Sequence, residues 1–294
     1  MAMIAVFGGG FGLYGHTAAL AAMGANVSTL ERYKAAALAR EELAPLIPKI
    51  TWVTEEEELI TNADIFVLAQ RPSDNAIWCR KLLDMDRDLF FVIEKPIAPS
   101  WQEAVALEHQ LLSHNRSWAV PYLFCFCDWF HALTERLAVT PDQHITWSHR
   151  QSTKLGDWKK NPLLGGGINA FYFTHFLALF EAIIPHATIE YTCNTTKENI
   201  QLIATARDGS KTIETTFQLA DTAAFEISDN SAVWCQQETP FGNSHVPGIS
   251  DSRLLTLQRF YKKNVLIPST KQTYENFLRN VTRRWSHLEN FMRG

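Results

Sequence analysis

Two stretches bring together residue types that can do chemistry. One is Phe90-Phe91-Val92-Ile93-Glu94-Lys95-Pro96. Its aromatic and β-branched run reads as a buried strand. It ends in an acid, a base and a proline, and Pro96 has no N–H to give a ladder. In an open parallel sheet ligands bind beyond the carboxyl ends of the strands. Glu94 and Lys95 are therefore expected at the mouth of a cleft, with a solvated charge pair at a strand end as the plain alternative.

The other is Gly8-Gly9-Gly10-Phe11-Gly12-Leu13-Tyr14-Gly15-His16. It follows a short apolar strand over residues 3–7 and precedes a helical run from Thr17 to Met23. Strand, glycine loop and helix are the context of a dinucleotide fingerprint, in which backbone N–H groups approach a pyrophosphate at a helix N-terminus. G-x-G-x-x-G fits at Gly10, Gly12 and Gly15. A second register starts at Gly8 and Gly10, with Leu13 in the third place, and is preferred because the tight turn belongs at the strand end. The next strand, residues 26–30, ends at Glu31, where the fingerprint expects an acid for the adenosine ribose hydroxyls. That favours NAD over NADP. Arg32 beside it offers a partner for a 2′-phosphate or a stacking face for adenine.

The elements that must position these groups alternate. Strands are expected at 50–53, 64–69, 90–94 and 117–124, and helices at 33–43, 55–58, 76–83 and from the capping box of Ser100 and Glu103. Gln70, Arg71, Pro72 and Asn75 leave the fourth strand through a polar, proline-broken exit that would line the same cleft. Six strands alternating with helices make one doubly wound parallel sheet, a Rossmann-type α/β domain over residues 1–121. Residues 122–294 then read as an α+β domain with a mostly antiparallel open sheet. Its strands are expected at 145–150, 188–193, 201–207, 211–219, 224–228 and 232–236, with a hairpin at Asp208-Gly209-Ser210. Helices are expected at 128–137, 169–184, 252–262 and 271–292.

The whole is 294 residues with a net charge of −4 and no basic block. Neither a nucleic-acid surface nor a polybasic membrane surface is expected, and no apolar run approaches a membrane span. The first strand begins so early that no signal peptide is expected. The five cysteines lack paired-ligand spacing, which argues against a disulfide framework and against a metal site. Cys125-Phe126-Cys127 has the period of a strand, with both thiols on one face. A cytoplasmic protein is the reading.

In this order, four pieces resemble the Gfo/Idh/MocA oxidoreductases, named for glucose-fructose oxidoreductase and inositol dehydrogenase: the glycine loop, Glu94-Lys95-Pro96, Asp157-Trp158-Lys159, and Gly165-Gly166-Gly167 followed by His175. The resemblance covers nearly the whole chain. It implies an enzyme, an NAD(P)-dependent oxidoreductase passing a hydride between nicotinamide and a carbonyl or carbinol carbon of a small molecule, often a sugar or nucleotide sugar. It also implies a homodimer or homotetramer built through the second domain's sheet. Lys95 falls on the family's active-site lysine, Glu94 on a positioning group near the nicotinamide, and His175 on the catalytic histidine. Trp158, Lys159, Phe171 and His175 join Lys95 as substrate contacts. Gly8, Gly10, Phe11, Gly12, Leu13, Glu31, Arg32, Gln70, Arg71, Pro72, Asn75, Glu94 and Lys95 are the expected cofactor residues, for NAD(H) by preference and NADP(H) as the other option.

One departure stands out. The family pattern puts an aspartate four residues before the histidine, and here that position is Phe171. A phenyl ring neither orients an imidazole by a hydrogen bond nor relays a proton. This leaves two other readings open: a non-catalytic, dinucleotide-binding sensor of the same fold, or a reductase of a flat conjugated substrate, as in the biliverdin reductase branch. Trp129, Phe130, Phe171 and Phe173 are the aromatics that suit the latter.

Overall fold

The computed structural model describes residues 2–150, 158–195, 200–242, 251–266 and 271–293. The chain divides into two compact units. One holds Met1–Pro121, Pro162–Gly165 and Asn243–Arg279, and the other Tyr122–Asn161, Gly166–Gly242 and Asn280–Gly294.

The first unit opens with β1 (Ile4–Phe7), α1 (Ala18–Ala22), β2 (Val27–Leu30), α2 (Lys34–Leu38), β3 (Ile50–Val53) and α3 (Glu56–Asn62). It continues with β4 (Ile65–Leu68), α4 (Pro72–Leu83), β5 (Phe90–Ile93), α5 (Trp101–Ser113) and β6 (Ser117–Ala119). The six strands form one parallel sheet in the order β3-β2-β1-β4-β5-β6. Every residue of β1, β2 and β4 is buried, as expected of strands covered on both faces. The strand order reverses between β1 and β4, which makes that edge the topological switch point where such sheets take ligands. The Ser100 hydroxyl accepts from the Glu103 N–H at 3.3 Å and starts α5. Two elements are shorter than expected. α2 buries only Ala37, so no apolar stripe carries it to residue 43. β6 stops at Ala119, just before Pro121 interrupts any ladder.

The second unit contains α6 (Asp128–Arg136), β7 (Asp142–Arg150), α7 (Thr174–Ile183), β8 (Thr188–Thr195), β9 (Ile200–Asp208), β10 (Lys211–Ala220), β11 (Ala224–Asp229) and β12 (Val233–Gln237). Its sheet runs β12-β11-β7-β10-β9-β8, antiparallel except for β7 with β10. Gly209, at φ +60°, makes the β9–β10 turn. Inward residues such as Trp147, Leu202, Ile213, Phe217 and Phe225 are buried. The opposite face carries half-exposed residues including Thr146, Glu214, Thr216 and Gln218, the alternation of a one-sided antiparallel sheet.

Two expectations for this unit are corrected. Cys125 lies in a 3₁₀ turn, Leu123–Phe126, rather than a strand, and the Cys125 and Cys127 thiols donate to the Ala178 and Leu123 carbonyls. These backbone acceptors belong to local turn and helix packing that a two-residue period cannot reveal. The helix expected over 169–184 is split: Ile168–Tyr172 forms a wide π-helical turn before α7 begins at Thr174. Among the described residues no disulfide joins any of the five cysteines.

The chain ends with α8 (Leu254–Tyr261) and α9 (Lys271–Arg293). α8 belongs to the first unit and packs on α1 through the buried Leu254, Leu257, Phe260 and Tyr261. Among the described residues no single helix is long and apolar enough to cross a membrane.

Candidate functional site

The loop after β1 is shaped by its glycines. Gly8 has φ +138°, and a Cβ there would run into the Ala69 carbonyl, 2.8 Å from its carbon. Only glycine fits such a turn. Gly10 is exposed, and a Cβ on it would meet no atom within 4 Å. Leu13 and Tyr14 both donate to the Gly10 carbonyl, at 2.9 and 3.1 Å, so the helix begins there. N–H groups of a first helical turn have no intrahelical acceptor and favour an anion. Gly12 serves packing, since its Cβ would lie 3.2 Å from the Phe7 oxygen. Gly15 is covered by the Phe11 ring. Phe11 thus folds back on its own helix, with the Arg253 guanidinium 3.9 Å above the ring centroid and Asp251 holding that guanidinium at 2.7 and 3.0 Å. Leu13 is buried.

Glu31 follows the end of β2 and is exposed, with Lys34 Nζ at 3.4 Å and Thr54 Oγ1 at 3.5 Å. Arg32 donates to Glu56 at 2.9 Å and lies over the Tyr33 ring. At the exit of β4, Asn75 Oδ1 accepts from the Gln70 N–H at 2.8 Å. Gln70 Oε1 and Asn75 Nδ2 are both buried without a hydrogen-bond partner, an unusual state for interior polar atoms. Arg71 is exposed, and Pro72 opens α4. Pro72 also packs on Gly165, where φ is +80° and a Cβ would sit 2.6 Å from Pro72 Cγ.

At the exit of β5, the Glu94 N–H donates to the Leu68 carbonyl at 2.9 Å, which extends the β4–β5 pairing by one residue. Glu94 and Lys95 are both half-buried, and the Lys95–Pro96 peptide is cis. The Glu94 carboxylate is joined to two residues that sequence reasoning did not single out as site residues. His16 Nε2 lies 2.9 Å from Glu94 Oε1, and His16 Nδ1 lies 2.6 Å from the Tyr261 hydroxyl. His16 and Tyr261 are wholly buried. Burial pushes the Tyr261 hydroxyl well above its ordinary range, and the Glu94 charge adds to this. The Glu94 carboxylate can only accept, which assigns an N–H to His16 Nε2, and the Tyr261 hydroxyl is the partner of the ring's other nitrogen. His16 closes the glycine loop and was visible there. Tyr261 is 245 positions further on and had no local signal.

The remaining expected residues lie in the second unit, apart from Asp157, which falls outside the described residues. Trp158 and Lys159 form a turn clasped by the glycine run. The Gly167 N–H donates to the Lys159 carbonyl at 2.6 Å, and a Cβ on Gly166 would lie 2.6 Å from the Lys159 carbonyl carbon. Phe171 meets the Trp158 edge at 5.3 Å and has the Lys159 ammonium 5.3 Å from its centroid. His175 faces other partners. Its ring is 3% exposed, stacks on Phe124 at 4.8 Å and lies near Phe241 and Trp147. Trp129 and Phe173, counted among aromatics for a flat substrate, are core residues instead. Trp129 donates to the Pro240 carbonyl, and Phe173 is wholly buried. Among the described residues no cluster of metal-ligating side chains is present.

The chain matches no protein-family model and no curated protein sequence. Solved structures match it along nearly its full length. The WlbA (WbpB) dehydrogenase from Thermus thermophilus, in complex with NAD and UDP-GlcNAcA, has a TM-score of 0.70 at 15% identity, over 98% of this chain and 94% of that one. A myo-inositol dehydrogenase from Corynebacterium glutamicum has 0.64 at 14%, over 96% and 94%. GenD2 from gentamicin A biosynthesis, in complex with NAD, has 0.63 at 13%, over 97% and 92%.

Proposed function

The chain has the fold of the Gfo/Idh/MocA-type dehydrogenases, and we propose that it is an NAD(H)-dependent oxidoreductase. Its substrate in this reading is a small molecule with a carbonyl or carbinol carbon, a sugar or nucleotide-sugar derivative. The observation that carries the reading is the carboxyl edge of the parallel sheet. There Gly8 makes a turn that only glycine fits, Gly10 leaves its Cα bare and open, and Glu94 and Lys95 follow the end of β5.

The residues present fit a dinucleotide. The open face at Gly10 admits a pyrophosphate against backbone N–H groups. Gln70 Oε1 and Asn75 Nδ2 are buried polar atoms lacking an acceptor or donor, as expected of groups that a ligand satisfies. Glu31 would accept the adenosine ribose hydroxyls. Arg32 is engaged by Glu56, which favours NAD(H) over NADP(H). The bound nicotinamide supplies the hydride or receives it. Lys95 donates a hydrogen bond to the reacting oxygen, holds negative charge on it, and gives or takes its proton. His175 is the assisting group, with Trp158, Lys159 and Phe171 as substrate contacts. A homodimer or homotetramer through the polar face of the second sheet belongs to the same proposal.

A second reading, a dinucleotide-binding sensor without turnover, is favoured by two observations. Phe171 stands where an acid would orient the histidine, and His175 is stacked among aromatic rings. NADH titration, followed by NADH oxidation on a panel of keto sugars, separates the two. At saturating NADH, Lys95→Ala is expected to lose turnover by about 10²–10⁴-fold, the weight of a positioned proton-transfer group. Tight NADH binding with no turnover on any member of the panel supports the sensor. Absence of both NADH and NADPH binding overturns both readings.

A further inference from the structure

We propose that His16 and Tyr261 are positioning residues that fix the Glu94 carboxylate for the nicotinamide end of the dinucleotide. The inference rests on the dinucleotide-binding reading above and goes beyond it by adding a buried arm to the site. The arm is a single hydrogen-bonded line, from the Tyr261 hydroxyl through His16 Nδ1 and Nε2 to Glu94 Oε1, with links of 2.6 and 2.9 Å.

Three features support a positioning role. First, among the described residues the line leads nowhere else. His16 and Tyr261 are wholly buried, and the only member that reaches solvent is Glu94, whose side chain is 12% exposed. A chain closed at its inner end by a phenol cannot deliver protons from water, so it orients rather than relays. Second, the direction of donation is set. The Glu94 carboxylate can only accept, so His16 presents its Nε2–H to it at 2.9 Å, and a half-buried carboxylate gains the donor that offsets its lost hydration. Third, the place fits. Glu31 lies at the β2 side of the switch point and Glu94 at the β5 side. A dinucleotide crossing that point with its adenosine on Glu31 lays its other half over β4 and β5. His16 belongs to the wide π-helical turn Gly12–Thr17, directly after the glycines. The same turn that receives the pyrophosphate therefore also pins the carboxylate, and α8 supplies the pin from behind.

The test uses the full chain and two ligands that share the pyrophosphate, NADH and ADP-ribose, the latter lacking the nicotinamide. Affinities are measured by fluorescence titration for the wild type, His16→Leu, His16→Gln and Tyr261→Phe. His16→Leu is expected to weaken NADH by about tenfold, the weight of one hydrogen bond to a charged group, and to leave ADP-ribose unchanged. His16→Gln, whose amide again offers an N–H toward Glu94, is expected to recover most of the loss, and Tyr261→Phe to fall between. Equal loss of both ligands would mean that His16 merely supports the loop, and unchanged NADH affinity would mean that Glu94 needs no support. Either overturns the proposal while the dinucleotide reading stands. A wild type that binds neither ligand overturns both. Should His16→Leu fail to fold, ¹⁵N-histidine spectra of the wild type still decide: a proton on His16 Nε2 supports the arm, and a neutral Nδ1–H ring, which has no proton to give Glu94, overturns it.

Discussion

Adding one methyl at Gly8 and one at Gly10 should separate what the loop does for the fold from what it does for a ligand. At Gly8 the backbone has φ +138°, a region open in practice to glycine alone, and an alanine held there stores about 1–3 kcal/mol. Its Cβ would also lie 2.8 Å from the Ala69 carbonyl carbon. That carbonyl is backbone at the end of β4 and cannot swing aside. Forcing a methyl into such a packed spot adds about 1–3 kcal/mol. The sum is about 2–6 kcal/mol, and each kcal/mol moves the midpoint of a chain this large by about 2–4 °C. Gly8→Ala is therefore expected to melt about 4–24 °C below the wild type. Gly10→Ala should change stability by no more than about 0.5 kcal/mol, because its Cβ would meet nothing within 4 Å. It should instead weaken NADH by at least about tenfold, since the methyl stands where the backbone must approach a pyrophosphate. Thermal melts followed by circular dichroism and an NADH fluorescence titration measure both. A Gly8→Ala protein that melts with the wild type would refute the steric argument, and a Gly10→Ala protein that binds NADH normally would remove the loop from the site.

Two further outcomes are expected. Glu31→Ala should lower the preference for NADH over NADPH by about tenfold, the weight of a charged hydrogen bond to the ribose; unchanged affinities for both would take Glu31 out of the site. The Asp229 carboxyl is held below the usual carboxylate range by the Ser231 hydroxyl, the Ser231 and Ala232 N–H groups and Arg136. Its contribution to stability is present in full above about pH 4, the unfolded value, and is lost as pH falls through the lower folded value. Asp229→Asn should flatten that acid limb of a melting-temperature profile, and an unaltered limb would show that the β11–β12 turn does not contribute to it.

The parallel sheet was legible because its cause is local. Runs such as Ile65-Phe66-Val67-Leu68, bounded by polar and proline breaks, can satisfy their composition only as covered strands. The glycine loop was equally plain, since Gly8 and Gly10 sit against a strand end whatever surrounds them. Composition misled where packing decides. Trp129 and Phe173 are aromatic enough to suggest a flat ligand, yet both are buried core residues. The periodicity of 169–184 read as one helix, yet a π turn interrupts it before α7, because the backbone there also answers to the glycine run and the Trp158 turn.

By itself, then, the sequence determined the order of strands and helices, the edge where Glu94 and Lys95 emerge, and that a phenylalanine, Phe171, stands four residues before His175. The tertiary structure alone decided what stands behind Glu94. His16 and Tyr261 lie 245 positions apart, and no period or motif spans that interval. They meet because the apolar face of α8 packs on α1, and a buried imidazole must then find partners for both its nitrogens.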